Sequence, residues 1–283
     1  MTGTWHIEEW IDDASRTAVE YADYWNDAEA ERDKIWDVTD GGFDEVEKYL
    51  QEVGLEPDLR RCLHLLAEDG RPIRGRGIDV AAGTLWAVPI LLEQPGVDHV
   101  CCLEYSRHRL LELGPRMLTH YGVGPDRVTL ALGSFYDLHL PDASLDFAFL
   151  SQALHHADEP AGLLHELSRV LVSGGSVIIV GEHCITPRHY ARYAVRAGAG
   201  ILPAGLRRHV PGGDVTVRRT LRPRGADLEP PDPLLGDHVY TGAEYRRLFS
   251  DAGFESIRVR ESGAGYQSFI LRRLPGTAPS RRP

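Results

Sequence analysis

Short apolar runs alternate with longer amphipathic segments from residue 76 to residue 181. The apolar runs predict strands over residues 77–80, 99–104, 128–132, 145–150 and 176–181. The segments between them predict helices over residues 84–92, 107–121 and 160–171. Regular alternation of strand and helix is typical of parallel sheets with right-handed crossovers. We therefore predict an α/β fold with a doubly wound, mostly parallel sheet.

Apolar residues recur at helical spacing before residue 70. One stripe runs from Ala18 to Trp25, and a second runs from Phe43 to Val53 and ends at Gly54. A third helix is predicted from Pro57 to about Gly70. Four of the five tryptophans also lie before residue 70. We predict that residues 1–70 form an N-terminal helical cap or lid, whose tryptophans anchor it on the sheet or roof a ligand pocket.

The pattern breaks after residue 187, and residues 203–238 contain six prolines and five glycines. An irregular segment of this length inside a domain is usually functional or disordered. A regular sequence pattern resumes at Thr241, where a capping box with Glu244 predicts a helix that ends at Gly253. Residues 257–262 and 266–274 predict a hairpin. We expect a disordered tail over residues 275–283.

The composition narrows the class of protein. Hydrophobic residues make up 42% and charged residues 26% of the chain, as in soluble globular proteins. A formal net charge of −11 argues against nucleic-acid binding. We expect no membrane segment, because no apolar run is long enough, and a cytoplasmic location, because the N-terminus lacks signal-peptide features. The four cysteines have no C-x-x-C spacing, so we predict no metal site and no disulfides.

A candidate nucleoside site lies at the first predicted strand of the alternating region. This strand ends at Asp79, and a turn of small residues up to Gly83 follows it. Small residues there let a ligand approach the backbone closely, and an acid about 20 residues further on can bind a ribose diol. Glu104 stands at that distance, at the end of the next predicted strand.

Five stretches resemble, in order, the motifs of the class I S-adenosylmethionine-dependent methyltransferases. They are residues 79–84 (DVAAGT), 133–146 (GSFYDLHLPDASLD), 147–156 (FAFLSQALHH), 169–176 (RVLVSGGS) and 252–254 (AGF). The resemblance covers about residues 70–185 and 238–274. It implies a Rossmann-like, seven-stranded methyltransferase domain over residues 71–274, in which 187–238 is a variable insertion on the acceptor side.

The resemblance also implies a site for S-adenosylmethionine as cofactor. The implied binding residues are Asp79, Ala81, Gly83, Glu104, Tyr105, Ser134, Phe135 and Ser151. Glu104 would bind both ribose hydroxyls, and Asp79 would lie beside the amino-acid end. Phe135 would meet the adenine edge, and Ser151 would lie near the sulfonium.

The sequence departs from the family pattern at three positions. Ala81 and Leu85 stand where the family usually has glycine, and Ser134 stands where an aspartate usually holds the adenine amino group. Leu85 would push the following helix away or point outward. These departures leave open a weaker affinity, a subfamily, or a loss of activity.

Four residues are candidates for a general base. His155 and His156 follow the fourth predicted strand, and Glu182 and His183 follow the fifth. Carboxyl ends of parallel strands line the ligand crevice, and imidazole suits proton abstraction near neutral pH. The alternatives are that the histidines serve packing, or that His155, His156 and His183 form a metal cluster, for which the spacing gives no support.

Candidate residues for the acceptor are aromatic or basic: Tyr24, Trp25, Trp36, Arg188 and Arg192. Arg188 and Arg192 are four residues apart, so on a helix they share one face and would clamp a carboxylate or phosphate. The alternative is a solvated face.

We therefore expect methyl transfer to a small, anionic acceptor in specialised bacterial metabolism, with oxygen favoured over nitrogen or carbon. The sequence leaves open whether the chain forms a homodimer. The alternatives are a cofactor-binding protein of the same fold that acts as a cyclase or a regulatory partner, and a nicotinamide oxidoreductase. The absence of G-x-G-x-x-G argues against the oxidoreductase.

Overall fold

The structure, a computed structural model, describes residues 4–11, 32, 34–185, 238, 240–261 and 266–276. The helix predicted over residues 18–25 lies outside this part of the chain. So do almost all of the predicted insertion at 187–238 and residues 277–283 of the tail.

Within the described residues, eight strands form one sheet and two short strands form a second. The large sheet contains β1 (His6–Glu9), β2 (Gly75–Val80), β3 (Val97–Glu104), β4 (Val128–Leu132), β5 (Leu145–Ser151), β6 (Leu171–Glu182), β9 (Phe254–Glu261) and β10 (Gln267–Arg273). Its strand order is β1-β4-β3-β2-β5-β6-β10-β9. Neighbouring strands are parallel from β1 through β6, and β10 is antiparallel to both β6 and β9. The small sheet pairs β7 (Cys184–Ile185) with β8 (Tyr240–Thr241).

The described α-helices cover both faces of the large sheet. They are α1 (Phe43–Glu52), α2 (Leu55–Glu68), α3 (Val88–Leu92), α4 (Gly114–His120), α5 (Pro160–Val170) and α6 (Gly242–Asp251). The side chains of α1 to α4 share one buried cluster with one face of the sheet, and those of α5 and α6 share a second cluster with the other face. All five residues of β4 are buried, which explains why the central strands are continuous apolar runs. The predicted doubly wound α/β architecture is confirmed.

Several predicted elements are confirmed near their predicted bounds. Helices α1 and α2 correspond to the second and third predicted helices, and β9 and β10 form the predicted antiparallel pair. The capping box of α6 is complete. The hydroxyl of Thr241 accepts the N–H of Glu244 at 3.2 Å, and the carboxylate of Glu244 accepts the N–H of Thr241 at 2.8 Å.

The predicted strand count of seven was wrong, because β1 adds an eighth strand in a region predicted to be helical. Strand β1 pairs in parallel with β4 at the edge of the sheet, with His6 opposite Thr129. Its sequence has no apolar alternation, and the side chain of Ile7 is 47% exposed. A short edge strand is stabilised by backbone pairing more than by burial, so hydrophobic periodicity could not reveal it.

Two predicted element boundaries were also wrong. The helix predicted from residue 84 begins only at Val88, because the chain makes a tight turn first. The strand predicted from residue 176 begins already at Leu171, directly after α5 ends at Val170, because the backbone becomes extended there and Leu171 pairs with Leu145.

Two motif residues hold the loops that lead to the sheet. The carboxylate of Asp146 accepts the N–H of Arg76 at 2.9 Å, at the start of β2. The guanidinium of Arg169 donates to the carbonyls of Leu138 and Leu140, each at 2.7 Å. Its hydrogen bond with Glu166 raises the pKa of Arg169 above its usual value, so the charge is permanent.

The described cysteines are all buried free thiols, and no described helix has the length and apolar character needed to cross a bilayer.

Gly77 in β2 lies directly against the ring of Phe147 in β5. A methyl group added at Gly77 would lie 2.1 Å from the ring. We expect Gly77→Ala to lower the free energy of unfolding by about 1–3 kcal/mol, the usual range for overpacking. Denaturant unfolding measures this change.

Gly162→Ala in α5 is the matched control, because its added methyl would make only ordinary contacts of 3.6 Å or more. It should raise stability by about 0.5–1 kcal/mol through helix propensity. Equal stabilities of the Gly77→Ala variant and the unmodified protein would contradict the packing described for β2 and β5.

Candidate functional site

The carboxyl ends of β2, β3, β4 and β5 meet at one cavity of about 280 Å³. In the sheet, β3 and β4 lie on one side of β2. The chain then crosses back, so that β5 lies on the other side of β2. This reversal opens a crevice beside β2, which is where open α/β sheets bind ligands. The site therefore lies where the topology predicts it.

A left-handed turn after β2 forms the floor of this cavity. Ala81, Gly83 and Leu85 all have positive φ, at 53°, 56° and 65°. Only glycine adopts these angles without cost, and other residues lose roughly 1–2 kcal/mol there. This backbone shape gives a physical reason for the family's glycines at positions 81 and 85.

Leu85 points into the core, so the expectation of an outward side chain was wrong. Its side chain is fully buried, and its methyl group lies 2.6 Å from where a Cβ on Gly114 would lie. Burial of a leucine side chain gains about 1.5–3 kcal/mol, which offsets the cost of the left-handed backbone. Gly114 leaves the space that the side chain of Leu85 fills.

The carboxylate of Glu104 holds the turn against the end of β3. One oxygen accepts the N–H of Gly83 at 2.8 Å, and the other accepts the N–H groups of Tyr105 and Ser106 at 2.9 and 2.8 Å. A carboxylate has about four acceptor positions, so Glu104 can accept a further hydrogen bond from a ligand in the cavity. Glu104 therefore fixes the loop and also lines the cavity.

Asp79 is the second buried acid at the floor, and its side chain lies against the cavity with a residue exposure of 2%. Burial raises the pKa of Asp79 well above its usual value, and the nearby charge of Glu104 raises it further. A positive charge in the cavity would reverse this effect, because it would stabilise the ionised carboxylate.

All eight residues implied in cofactor binding line this one cavity: Asp79, Ala81, Gly83, Glu104, Tyr105, Ser134, Phe135 and Ser151. Ser134 is buried, and its hydroxyl accepts the N–H of Tyr136 at 3.3 Å. The structure thus brings together residues from four strand ends that are up to 72 positions apart in the sequence.

Residues 78–179 match the family model described as a methyltransferase domain. This segment, roughly a third of the chain, is similar to a methyltransferase domain.

A curated relative supports the match over part of the chain. The demethylmenaquinone methyltransferase of Clavibacter sepedonicus is 36% identical over 109 residues, which are 38% of this chain and 42% of that protein. The chain therefore matches about two fifths of the length of this relative.

Two solved structures share the fold of the methyltransferase domain and its neighbouring elements. A chain from the complex of the Haloferax volcanii Trm112 methyltransferase activator with a methyltransferase has a TM-score of 0.55 at 16% identity, covering 86% of this chain and 99% of that chain. The [4+2]-cyclase SpnF has a TM-score of 0.51 at 16% identity, covering 76% of this chain and 80% of that chain. At this identity the similarity shows the fold alone.

Further residues line the cavity, beyond those predicted from the sequence. They include Lys34, Tyr49, Trp86, Arg109, Gln152 and Asp158.

Trp36, one of the predicted acceptor residues, also lines the cavity. The charged groups of Lys34 and Arg109 lie 5.5 and 5.2 Å from the ring centre of Trp36. Only the position of Trp86 in the turn could have been noticed in the sequence, because the others depend on how α1 and the loops pack.

The four predicted general-base candidates form one cluster at the ends of β5 and β6, but only His156 lines the cavity. The ring of His155 is 4.2 Å from that of His156 and 5.0 Å from that of His183. His155 is buried, with a residue exposure of 3%. Among the described residues, no group of three or more histidine, cysteine, aspartate or glutamate side chains could hold a metal ion.

Glu182 is the fully buried centre of this cluster. One carboxylate oxygen accepts the N–H groups of Ala153 and Leu154 at 3.2 and 3.1 Å, and the other lies 3.0 Å from Nδ1 of His155. Burial acts to raise the pKa of Glu182, but the charges of His155 and His156 and the hydrogen bonds from His155 and the N–H of Leu154 together outweigh it, so this pKa is lowered. The ionised carboxylate can only accept, and Nδ1 of His155 therefore carries the proton.

The remaining candidates for acceptor binding, namely Tyr24, Trp25, Arg188 and Arg192, lie outside the residues that the structure describes.

The left-handed turn leads to a stability prediction that separates strain from packing. Ala81→Gly removes about 1 kcal/mol of strain but adds a similar entropy to the unfolded chain, so stability should change by less than about 0.5 kcal/mol. Leu85→Gly removes similar strain but empties a core site, and we expect a net loss of about 2–4 kcal/mol. Denaturant unfolding of both variants measures the difference. A Leu85→Gly variant as stable as Ala81→Gly would show that Leu85 is not held by packing.

Proposed function

We propose that this protein binds S-adenosylmethionine in the cavity at the ends of β2 to β5 and transfers its methyl group to a small-molecule acceptor. The observation that carries the proposal is the convergence of all eight implied cofactor residues on one cavity at the topological switch point. The match of residues 78–179 to a methyltransferase domain supports the same activity.

In this proposal, the two acids at the floor of the cavity contact different parts of the cofactor. Glu104 binds the ribose hydroxyls with the acceptor positions that its backbone partners leave. Asp79 lies beside the ammonium group of the amino-acid end, whose positive charge favours the ionised form of Asp79. Tyr105 and Phe135 supply flat apolar surfaces for the adenine.

The aromatic side of the cavity suits both the sulfonium and the acceptor. Tyr49 and Trp86 line it together with Trp36, and electron-rich ring faces attract a cation. Methyl transfer is an in-line displacement, so alignment of the two reactants and exclusion of water supply much of the catalysis. Lys34 and Arg109 also line the cavity and suit an acceptor that carries a negative charge.

His156 is the general base in this proposal, because it alone of the four candidates lines the cavity. A hydroxyl acceptor must lose a proton on methylation, and a neutral imidazole can take it near neutral pH. We propose oxygen as the methylated atom, ahead of nitrogen or carbon, because a hydroxyl oxygen becomes a strong nucleophile when His156 takes its proton. His155 and Glu182 would hold His156 in place from behind.

The nature of the acceptor belongs to the same proposal. The relative from Clavibacter sepedonicus acts on demethylmenaquinone according to its name. We propose a small aromatic or anionic acceptor from specialised metabolism for this chain, because rings and two cations line the cavity.

Calorimetric titration tests cofactor binding directly. The unmodified protein should bind S-adenosylmethionine and S-adenosylhomocysteine and should not bind nicotinamide dinucleotides. Glu104→Ala should weaken the affinity by about 100-fold, because it removes hydrogen bonds between a carboxylate and two hydroxyls.

Because Glu104 also holds the turn, thermal unfolding must show that the Glu104→Ala variant is folded at the titration temperature. Glu68→Ala, an exposed substitution at the end of α2, is the control and should leave the affinity unchanged. An unchanged dissociation constant for a folded Glu104→Ala variant would place the cofactor elsewhere.

Turnover is tested by the formation of S-adenosylhomocysteine with a panel of hydroxylated and carboxylated aromatic acceptors. His156→Asn should lower kcat by about 100-fold or more while cofactor affinity stays within about twofold, because general-base catalysis supplies such factors. His64→Asn, on the exposed side of α2, is the control. Cofactor binding without product for any acceptor would favour a protein of this fold that has lost methyl transfer.

The raised pKa of Asp79 predicts how cofactor affinity depends on pH. In the free protein, the carboxyl group stays protonated to a higher pH than usual, because burial and Glu104 disfavour its charge. A cationic cofactor favours the ionised form, so affinity should rise with pH by up to about tenfold per unit until the free-state pKa is passed.

Calorimetry over a pH series measures this dependence, with Asp79→Asn expected to remove it. Asp98→Asn, an exposed position at the start of β3, should keep the dependence. The expectation fails if the unmodified protein and the Asp79→Asn variant show the same pH dependence.

A further inference from the structure

Tyr245 lies in the first half of α6 and is fully buried. Its ring packs against Phe249 and Phe269, with ring centres 5.9 and 4.8 Å away. Phenylalanine would fill the same space without a buried hydroxyl, which is costly unless it is hydrogen-bonded. The hydroxyl therefore needs a partner of its own.

The partner is the cluster behind His156. The hydroxyl of Tyr245 lies 3.2 Å from a carboxylate oxygen of Glu182 and 2.9 Å from the carbonyl oxygen of His183. The same oxygen of Glu182 lies 3.0 Å from Nδ1 of His155. Both contacts are with acceptors, so the phenol proton is shared between them.

Two features fix Tyr245 at this place, although it is 63 positions from Glu182 in the sequence. Strand β7, which begins two residues after Glu182, pairs with β8 so that Cys184 lies opposite Tyr240. The capping box then starts α6 directly after β8. In addition, the backbone N–H of His238 donates to the carbonyl of His155 at 2.8 Å, so the segment before β8 also contacts the histidine turn.

We propose that Tyr245 is a positioning residue whose hydroxyl holds the carboxylate of Glu182, so that this carboxylate keeps the imidazole of His155 in one tautomer against His156. The inference rests on the proposed function, in which His156 is the group that faces the acceptor. Tyr245 completes four donors around a carboxylate that has no contact with solvent: the N–H groups of Ala153 and Leu154, Nδ1 of His155 and the phenol.

The titratable groups around Glu182 come from each element packed against it. They are His155 and His156 from the turn after β5, His183 and Cys184 from the following residues, and Tyr245 with the adjacent Tyr240. Gln267 lies opposite Glu182 on β10 and is neutral. Without the phenol proton, the carboxylate would be a stronger acceptor for the proton on His155. The apparent pKa of the His155–Glu182 pair should therefore rise.

Tyr245→Phe tests the proposal, because it keeps the ring and removes only the hydroxyl. The titration of His155 is followed by NMR of the histidine Cε1 carbons in protein without cofactor, and His155→Asn assigns the resonance. We expect the apparent pKa of His155 to rise by about one unit, and kcat for methyl transfer to fall about tenfold with KM for the cofactor unchanged.

Tyr121→Phe is the matched control. Tyr121 also donates from its hydroxyl to a glutamate, Glu47, at 2.7 Å, but on the exposed side of α1 and α4. This variant should change neither the His155 titration nor kcat. An identical His155 titration in Tyr245→Phe and the unmodified protein would overturn the proposal, whatever the effect on stability.

If Tyr245→Phe does not fold, the Cζ resonance of Tyr245 in the unmodified protein replaces it. This resonance should move over the same pH range in which the His155–Glu182 pair titrates. A flat Cζ shift while His155 titrates would overturn the inference. Because both NMR measurements need no cofactor, they are independent of whether methyl transfer occurs, which the turnover assay decides.

Discussion

The hydrogen bonds from three backbone N–H groups to Glu104 are the interaction on which the site depends. They join the turn after β2 to the end of β3 and so bring the floor of the cavity to a fixed distance from a buried carboxylate. The turn cannot relax into a helix, because its left-handed residues are fixed at 81, 83 and 85. Helix α3 consequently starts late, at Val88, and leaves the strand ends open.

The same constraint explains why the chain tolerates a departure from the glycine pattern of the methyltransferases that it resembles. A leucine at position 85 costs backbone energy, but its side chain fills the space beside Gly114. An alanine at position 81 adds only a methyl group at the cavity wall. The departures thus change the packing behind the turn and leave the turn's backbone shape as glycine would adopt it.

The second buried carboxylate, Glu182, organises the opposite end of the crevice. It holds the turn that carries His155 and His156 and contacts the helix that follows β8 through Tyr245. Glu104 accepts three backbone N–H groups, and Glu182 accepts two backbone N–H groups together with the donors of His155 and Tyr245, so both oxygens of each buried carboxylate are hydrogen-bonded. The proposed cofactor and the proposed base therefore each depend on one such group.

Much of this fold could be predicted from the sequence, because the central strands are buried on both faces and read as continuous apolar runs. The spacing from Gly83 to Glu104 and the five motifs were enough to predict which strand ends carry the site. Strand β1 could not be predicted, since a short charged edge strand has no periodic apolar signal. The roles within the histidine cluster could not be predicted either. His155 and His156 are adjacent in sequence, and only packing decides that His156, rather than His155, lines the cavity.

The central claim is that the cavity between Asp79 and Glu104 is a site for S-adenosylmethionine. A crystal structure of the protein with S-adenosylhomocysteine tests it most directly. The account predicts both ribose hydroxyls within hydrogen-bond distance of the carboxylate of Glu104, the adenine beside Phe135 and the sulfur facing His156. A ligand bound elsewhere, or a ribose on the far side of the cavity from Glu104, would contradict it.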